Sequence, residues 1–313
     1  MSKFCRHGAL PERCPICHGA LEAATRIPTA RPRRAATETR PRSNVSSRSR
    51  LTVRHEARAT DDGFRSGLAP GLRSREDAER LAGEIGFATG RLAVLESDPP
   101  GLYAQIAAEP DLEQASWLAF LTAYLGPLEE AAPFAEIAAA ATPWDALPDL
   151  ATTRIGPRGS HEAARGDSTL LAYRRFAERA GSQRDAIGAD PAWTPEQRFE
   201  RIFERLNLPG LHRPARYDLL VTLGRLGRYA LAAPGLLLTE HDAVMLAAKR
   251  VFGIGDRLTL ERRARELAGA AGVPVESLDL ALENWARGER ITQGVPDAAD
   301  SSAEARAGTA LGL

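Results

Sequence analysis

Lysine is nearly absent from this 313-residue chain: Lys3 and Lys249 are the only two among 41 basic residues. Arginine fills the other positions, beside much Ala, Gly and Pro, which is the bias of a GC-rich genome. Arginine number alone therefore argues little for nucleic-acid binding. Cysteine is equally scarce, and Cys5, Cys14 and Cys17 all fall near the start. That excludes a disulfide framework and fits a reducing, cytoplasmic setting. No apolar run approaches the ~20 residues of a membrane helix, so no membrane partner is expected. The opening Met1-Ser2-Lys3-Phe4-Cys5-Arg6-His7 lacks the apolar centre of a signal peptide. Walker loops, Rossmann glycine patterns, His-Glu-x-x-His and nucleophile elbows are also missing.

A net charge is lacking too, since 41 acids match 41 bases, but the charges are segregated. Residues 26–75 hold 13 Arg against Glu38, Glu56, Asp61 and Asp62, a net of +9. Residues 92–153 hold ten acids and no base, and residues 154–265 are mildly basic. Asymmetry of this kind points to a polyanionic partner. A phosphate backbone would meet the third stretch and avoid the second.

Four regions follow from composition. Residues 1–20 form a compact Cys/His knuckle. Residues 21–72 are rich in Arg, Ser, Thr, Pro and Ala and poor in aromatics, which predicts a disordered basic linker. Residues 73–290 show helical periodicity and contain all four Trp. Residues 291–313 return to small and polar residues and read as a flexible tail. Helix starts in the body are well marked. Ser74 stands three residues before Asp77, Asp111 precedes a run ending at Gly126-Pro127, and Thr194-Pro195-Glu196-Gln197 joins an N-cap, an N1 proline and a capping-box glutamine. Pro214 and Asp242 open two more. No segment alternates with period two, so the fold class is all-α, a helical bundle with no sheet.

The sharpest local motif is Cys5-Arg6-His7 with Cys14-Pro15-Ile16-Cys17. Cys14-x-x-Cys17 is knuckle spacing for two thiolates on one metal, and Cys5 and His7 supply a second pair for tetrahedral structural zinc. His18 competes as fourth ligand, but Gly8 lets the chain turn back after His7. Four protein ligands leave no open position for water, and metal binding would fold this short knot.

A second motif is Lys249-Arg250-Val251-Phe252-Gly253-Ile254-Gly255-Asp256-Arg257 between two helices. This is the sequence form of a helix-hairpin-helix element. Gly253, Ile254 and Gly255 would bring backbone amides to a DNA phosphate, with Lys249, Arg250 and Arg257 adding charge. Asp256 opposes phosphate, although it can cap the following helix. Leu208-Pro209-Gly210-Leu211-His212-Arg213 is a weaker version with His212 at the second glycine position. Candidate acids and bases are Asp279, which lies 24 residues after Gly255, Asp218, and His212. His161 and His241 are lone histidines, for which a surface or satisfied role is the default. Arg213 and Arg216 are candidates for pyrophosphate or DNA phosphate, against a plain solvated helix start.

Three phrases carry a family resemblance: Trp117-Leu118-Ala119-Phe120-Leu121-Thr122-Ala123-Tyr124-Leu125-Gly126-Pro127-Leu128, Arg216-Tyr217-Asp218-Leu219-Leu220-Val221-Thr222-Leu223-Gly224-Arg225-Leu226-Gly227, and Ala248-Lys249-Arg250-Val251-Phe252-Gly253-Ile254-Gly255-Asp256. Across residues 75–295 the chain resembles the α-glutamyl/putrescinyl thymine pyrophosphorylase family, third clade. The resemblance implies a fold related to helix-hairpin-helix DNA glycosylases. It also implies a reaction in which a small amine or amino acid displaces pyrophosphate from pyrophosphorylated 5-hydroxymethyluracil in DNA. No catalytic motif can be carried over residue by residue, and His212 departs from the glycosylase pattern. A DNA glycosylase and a non-enzymatic, zinc-containing DNA-binding protein remain as alternatives.

Overall fold

The chain divides into two units, residues 1–56 and 57–313. The computed structural model describes residues 60–188, 190, 192–240, 242–253 and 255–313, all within the second unit. Cys5, His7, Cys14 and Cys17 lie outside the described residues, as do Ile254, His241 and most of the basic linker. The described residues form twelve α-helices and no strand, so the unit is all-α. No helix among them is long and apolar enough to cross a membrane.

The helices are α1 (Arg75–Ser97), α2 (Gly101–Ala108), α3 (Leu112–Leu125), α4 (Ala135–Ala140), α5 (Gly166–Ala180), α6 (Gln183–Gly188), α7 (Pro195–Arg205), α8 (Arg213–Arg225), α9 (Ala243–Phe252), α10 (Arg257–Ala271), α11 (Ser277–Arg287) and α12 (Ser301–Leu311). Their starts follow local chemistry. The Ser74 hydroxyl accepts from Asp77 N at 3.1 Å. Asp111 accepts from Glu113 N at 3.0 Å. Thr194 and Gln197 exchange both bonds of a capping box ahead of α7. Each such cap satisfies amides the helix itself cannot.

Three helices form the centre. Every residue from Glu84 to Leu92 of α1, from Ala115 to Leu125 of α3, and from Ser277 to Trp285 of α11 is buried. Helices buried all round sit inside a domain rather than on its face. α1 packs against α11 and α12, α3 against α8, and α9 against both α10 and α11. On α3, Trp117, Phe120 and Tyr124 stack in sequence, and Phe120 lies 3.8 Å from the Tyr173 ring of α5.

Two sequence expectations need correction. Residues 60–72, assigned to the disordered linker, are folded onto the helices. Ala69 and Leu72 are fully buried, and Gly71 N donates to Val251 O at 2.8 Å. Their few apolar residues suffice because they close over the end of α9. The tail is ordered as well. Ile291, Val295 and Ala298 are buried, and α12 packs on α1 and α10. The physical reason is on α1, where a Cβ at Gly90 would sit 1.7 Å from Ala298 O and one at Gly86 would sit 2.7 Å from Glu304 Cβ. Two glycines let the C-terminal segment approach the helix backbone. A surface of small residues recognises small residues, which composition alone reads as disorder.

Candidate functional site

The glycine turn joins α9 to α10 within four positions. α9 ends at Gly253, which is left-handed (φ 68°) and donates its N–H to Lys249 O at 3.0 Å. Only glycine adopts this C-cap without strain. Gly255 is exposed, and a Cβ built there meets nothing within 4 Å, so its backbone is open to an approaching ligand. Lys249 and Arg257 are exposed beside it, while Arg250 stacks over the Trp285 ring at 4.8 Å. Asp256 caps α10, accepting from Thr259 N at 2.9 Å and from Thr259 Oγ1 at 2.6 Å. Those bonds hold the Asp256 carboxyl below the ordinary carboxylate range, the hydroxyl bond contributing most. Its charge is thus turned toward the helix start it caps.

The second glycine turn, 208–213, is spent on packing. A Cβ at Gly210 would meet Thr169 Oγ1 at 2.3 Å, and Pro209 O accepts from that same hydroxyl at 2.8 Å. Thr169 thus fills the Cβ side of Gly210, which is half-buried. His212 is exposed with its ring 3.5 Å from Glu162.

Behind α8 lies a buried ion cluster. Arg158, whose side chain is 1% exposed, donates from Nε and Nη2 to the two Asp218 oxygens at 2.7 and 3.0 Å. Its Nη2 also reaches Asp279 at 2.6 Å, and its Nη1 bonds Glu283. Asp279 bridges to a second buried guanidinium, Arg213, which also pairs with Asp242 at 3.2 Å and bonds Leu236 O. Gln293 completes the rim, donating to Asp218 at 3.2 Å while its carbonyl accepts from Tyr103 at 3.0 Å. Gln293 has φ 53°, a strained state for a residue other than glycine, and such strain persists where surrounding contacts over-determine it. Burial, partly countered by Arg213, raises the Asp242 carboxyl above its ordinary value.

Beside this cluster a cavity of about 510 Å³ opens between α7, α8, α10 and the 234–239 loop. Glu261 of α10 pins that loop by accepting from Leu236 N at 2.9 Å and Leu238 N at 2.7 Å. The intervening Leu237 has φ 50°, a second strained residue. Arg216 reaches the cavity from α8, one turn beyond Arg213.

No family model, curated protein or solved structure matches this chain.

The candidates named from sequence separate into two groups. Gly253, Gly255, Lys249, Arg250 and Arg257 share the turn between α9 and α10. Asp279, Asp218 and Arg213 meet in the ion cluster. Arg213 and Arg216 are buried, not at a solvated helix start, and Arg213 has two carboxylates in place of a DNA phosphate. Asp279, at 2% exposure, is held between two guanidiniums and has no open face for a substrate proton. Asp218 is the most accessible of the cluster carboxylates, its side chain 14% exposed. His161 is a satisfied core histidine, its ring nitrogens 3.2 Å from Tyr124 Oη and 3.1 Å from Leu150 O. Sequence reasoning missed Arg158, Asp242 as an ion-pair partner, Glu283 and Gln293. The available signal for Arg158 was its place between Gly156 and Gly159, shortly after Arg154 ends the stretch without a base.

Proposed function

We propose that this chain is a DNA-acting enzyme that modifies a thymine-derived base, an amine displacing pyrophosphate from pyrophosphorylated 5-hydroxymethyluracil. One observation carries the DNA part: the open glycine turn between α9 and α10, flanked by exposed Lys249 and Arg257 at a helix N-terminus. Two exposed cations beside the open Gly255 backbone suit a phosphate backbone, while Asp256 already occupies the helix end. The chemical part rests on the family resemblance of the sequence phrases.

In this reading the target base leaves the stack, because its exocyclic carbon is inaccessible in a duplex. The amine nitrogen forms a bond to that carbon as the carbon–oxygen bond breaks. Pyrophosphate leaves with the electron pair, and the amine proton passes to a carboxylate. Asp218 is the base we assign, as the carboxylate of the cluster with most access to solvent. Asp279 is a positioning residue that holds Arg158 and Arg213. At the N-terminus, we assign Cys5, His7, Cys14 and Cys17 to structural zinc, which metal analysis of the full chain tests at one equivalent.

The experiment is mass spectrometry of nucleosides from DNA carrying the pyrophosphorylated base, incubated with the protein and putrescine. A base mass shifted by the amine, with pyrophosphate released, supports the reading. Asp218→Asn should then slow the reaction by about 10²-fold or more. Abasic sites identify a glycosylase instead. A second, non-enzymatic reading draws on the full pairing of Asp279. Its mark is DNA affinity that falls steeply with salt while every base stays unchanged.

A further inference from the structure

Among the described residues, Arg216 is a buried cation that pairs with no carboxylate, as is Arg91, whose guanidinium instead reaches Tyr103 Oη. Arg158 has three carboxylates and Arg213 has two. Arg216 is 7% exposed, and its single hydrogen bond is a long one, 3.4 Å from Nη1 to Phe203 O. Its Nε is buried with no acceptor, and its Nη2 makes no hydrogen bond. The guanidinium lies 4.6 Å from the Phe203 ring centroid, a contact that leaves the edge of the fork unused. Burial, and then the neighbouring Arg213, destabilise its charged form. Arginine does not escape by losing a proton, so the cost stands until an anion arrives.

This guanidinium lines the 510 Å³ cavity, which lies in the size range of small-molecule sites. The wall opposite is strained at Leu237 and locked there by Glu261 and Arg213. Strain maintained at a cavity wall by three tethers is the second sign of a site. The lining also defines the ligand. Phe203, Leu237, Leu238 and Leu258 give it an apolar body. Glu200 and Glu204 stand on the α7 side and oppose a second negative charge, and Arg257 and Arg265 balance them. With those pairs offset and Glu261 engaged by the loop amides, Arg216 is left to take a single negative charge. A DNA phosphate is disfavoured, because Arg216 is recessed.

We propose that the cavity is a binding site for a small organic monocarboxylate, its carboxylate on the unused edge of Arg216 and its apolar body against Leu237 and Leu258. The guanidinium swings slightly over Phe203 to expose Nε, and the planar fork then meets the carboxylate with two parallel hydrogen bonds. This site shares Arg257 with the proposed DNA-facing turn, but its carboxylate anchor, Arg216, takes no part in the chemistry proposed on DNA.

The test is calorimetric titration of the full chain with benzoate, benzamide and inorganic pyrophosphate. Benzoate should bind about tenfold or more tighter than its neutral isostere benzamide, and tighter than pyrophosphate, as a charge-assisted fork requires. Arg216→Lys, which keeps the charge and loses the fork, should weaken benzoate about tenfold. Glu204→Gln, on the exposed surface of α7, should tighten benzoate by about twofold to threefold through loss of a like charge. Equal binding of benzoate and benzamide overturns the proposal. So does tighter binding of pyrophosphate, or benzoate affinity unchanged in a folded Glu204→Gln protein.

Discussion

Replacing Arg158 with Met tests whether the ion cluster is held by one cation. Met keeps an unbranched side chain in the space but removes the charge. Three carboxylates lose a partner, and their losses differ. Asp279 keeps Arg213, and Glu283 keeps Arg287 at 3.0 Å. Asp218 keeps only the neutral Gln293 amide at 3.2 Å. One carboxylate is thus stripped of its charged partner, and breaking a buried pair in this way costs about 3–5 kcal/mol. Folded domains have about 5–15 kcal/mol in total, so the variant should remain folded but only marginally. At roughly 2–4 °C per kcal/mol for a unit of this size, Tm should fall by about 6–20 °C. Urea unfolding should show a lower midpoint with an unchanged slope. A double-mutant cycle with Asp218→Asn, the carboxylate left without a charged partner, adds a sharper check. Removing one orphaned negative charge should cost less in the Arg158→Met background than in the native protein, by about 0.5–3 kcal/mol. A loss below about 1 kcal/mol, or additive changes, would refute a cluster organised by Arg158.

Two further outcomes follow from the described contacts. Gly90→Ala improves helix propensity by about 1 kcal/mol but drives a Cβ into Ala298 O, and overpacking against backbone costs about 1–3 kcal/mol or more. Net destabilisation, with loss of hydrogen-exchange protection across 301–311, is expected; unchanged protection there would contradict the close approach. Asp242 has a carboxyl raised by burial above its ordinary value of 3.8. A raised folded-state value means its contribution is present at low pH and is lost as pH rises through that value. Asp242→Asn should therefore gain on the native protein as pH rises from about 4 toward neutrality, in urea titrations across that range. A parallel pH profile for the two proteins would show that Asp242 is ordinarily solvated.

The parts of the fold that were legible in sequence are those set by neighbouring residues. Thr194 to Gln197 specify a helix start through their own side chains, and Gly253 specifies the end of α9 by its backbone freedom. The ion cluster depends on partners far apart. Arg158 is 60 residues from Asp218, 121 from Asp279 and 125 from Glu283. It sits in a loop whose Gly156 N–H donates to Leu125 O at 2.9 Å and whose Ser160 N–H donates to Tyr124 O at 2.7 Å. The end of α3 therefore turns this loop inward, and no periodicity marks that event. Asp279 was visible as a spacing after the glycine turn, but the spacing could not show that two guanidiniums hold it. The C-terminal helix escaped notice because its complement, Gly86 and Gly90, lies on another helix.

That same pairing has a consequence for synthesis. α1 ends at Ser97 and its cover, α12, begins at Ser301. At roughly 5–20 residues per second, α1 waits on the order of 10–40 s for α12 to be made. Its other main cover, α11, is also made late. Through that interval Gly86 and Gly90 leave a narrow groove on a helix whose middle, Glu84 to Leu92, is buried throughout in the finished fold. The nascent chain therefore carries its central helix exposed, and a chaperone that shields α1 should matter more to yield than one acting on the finished protein.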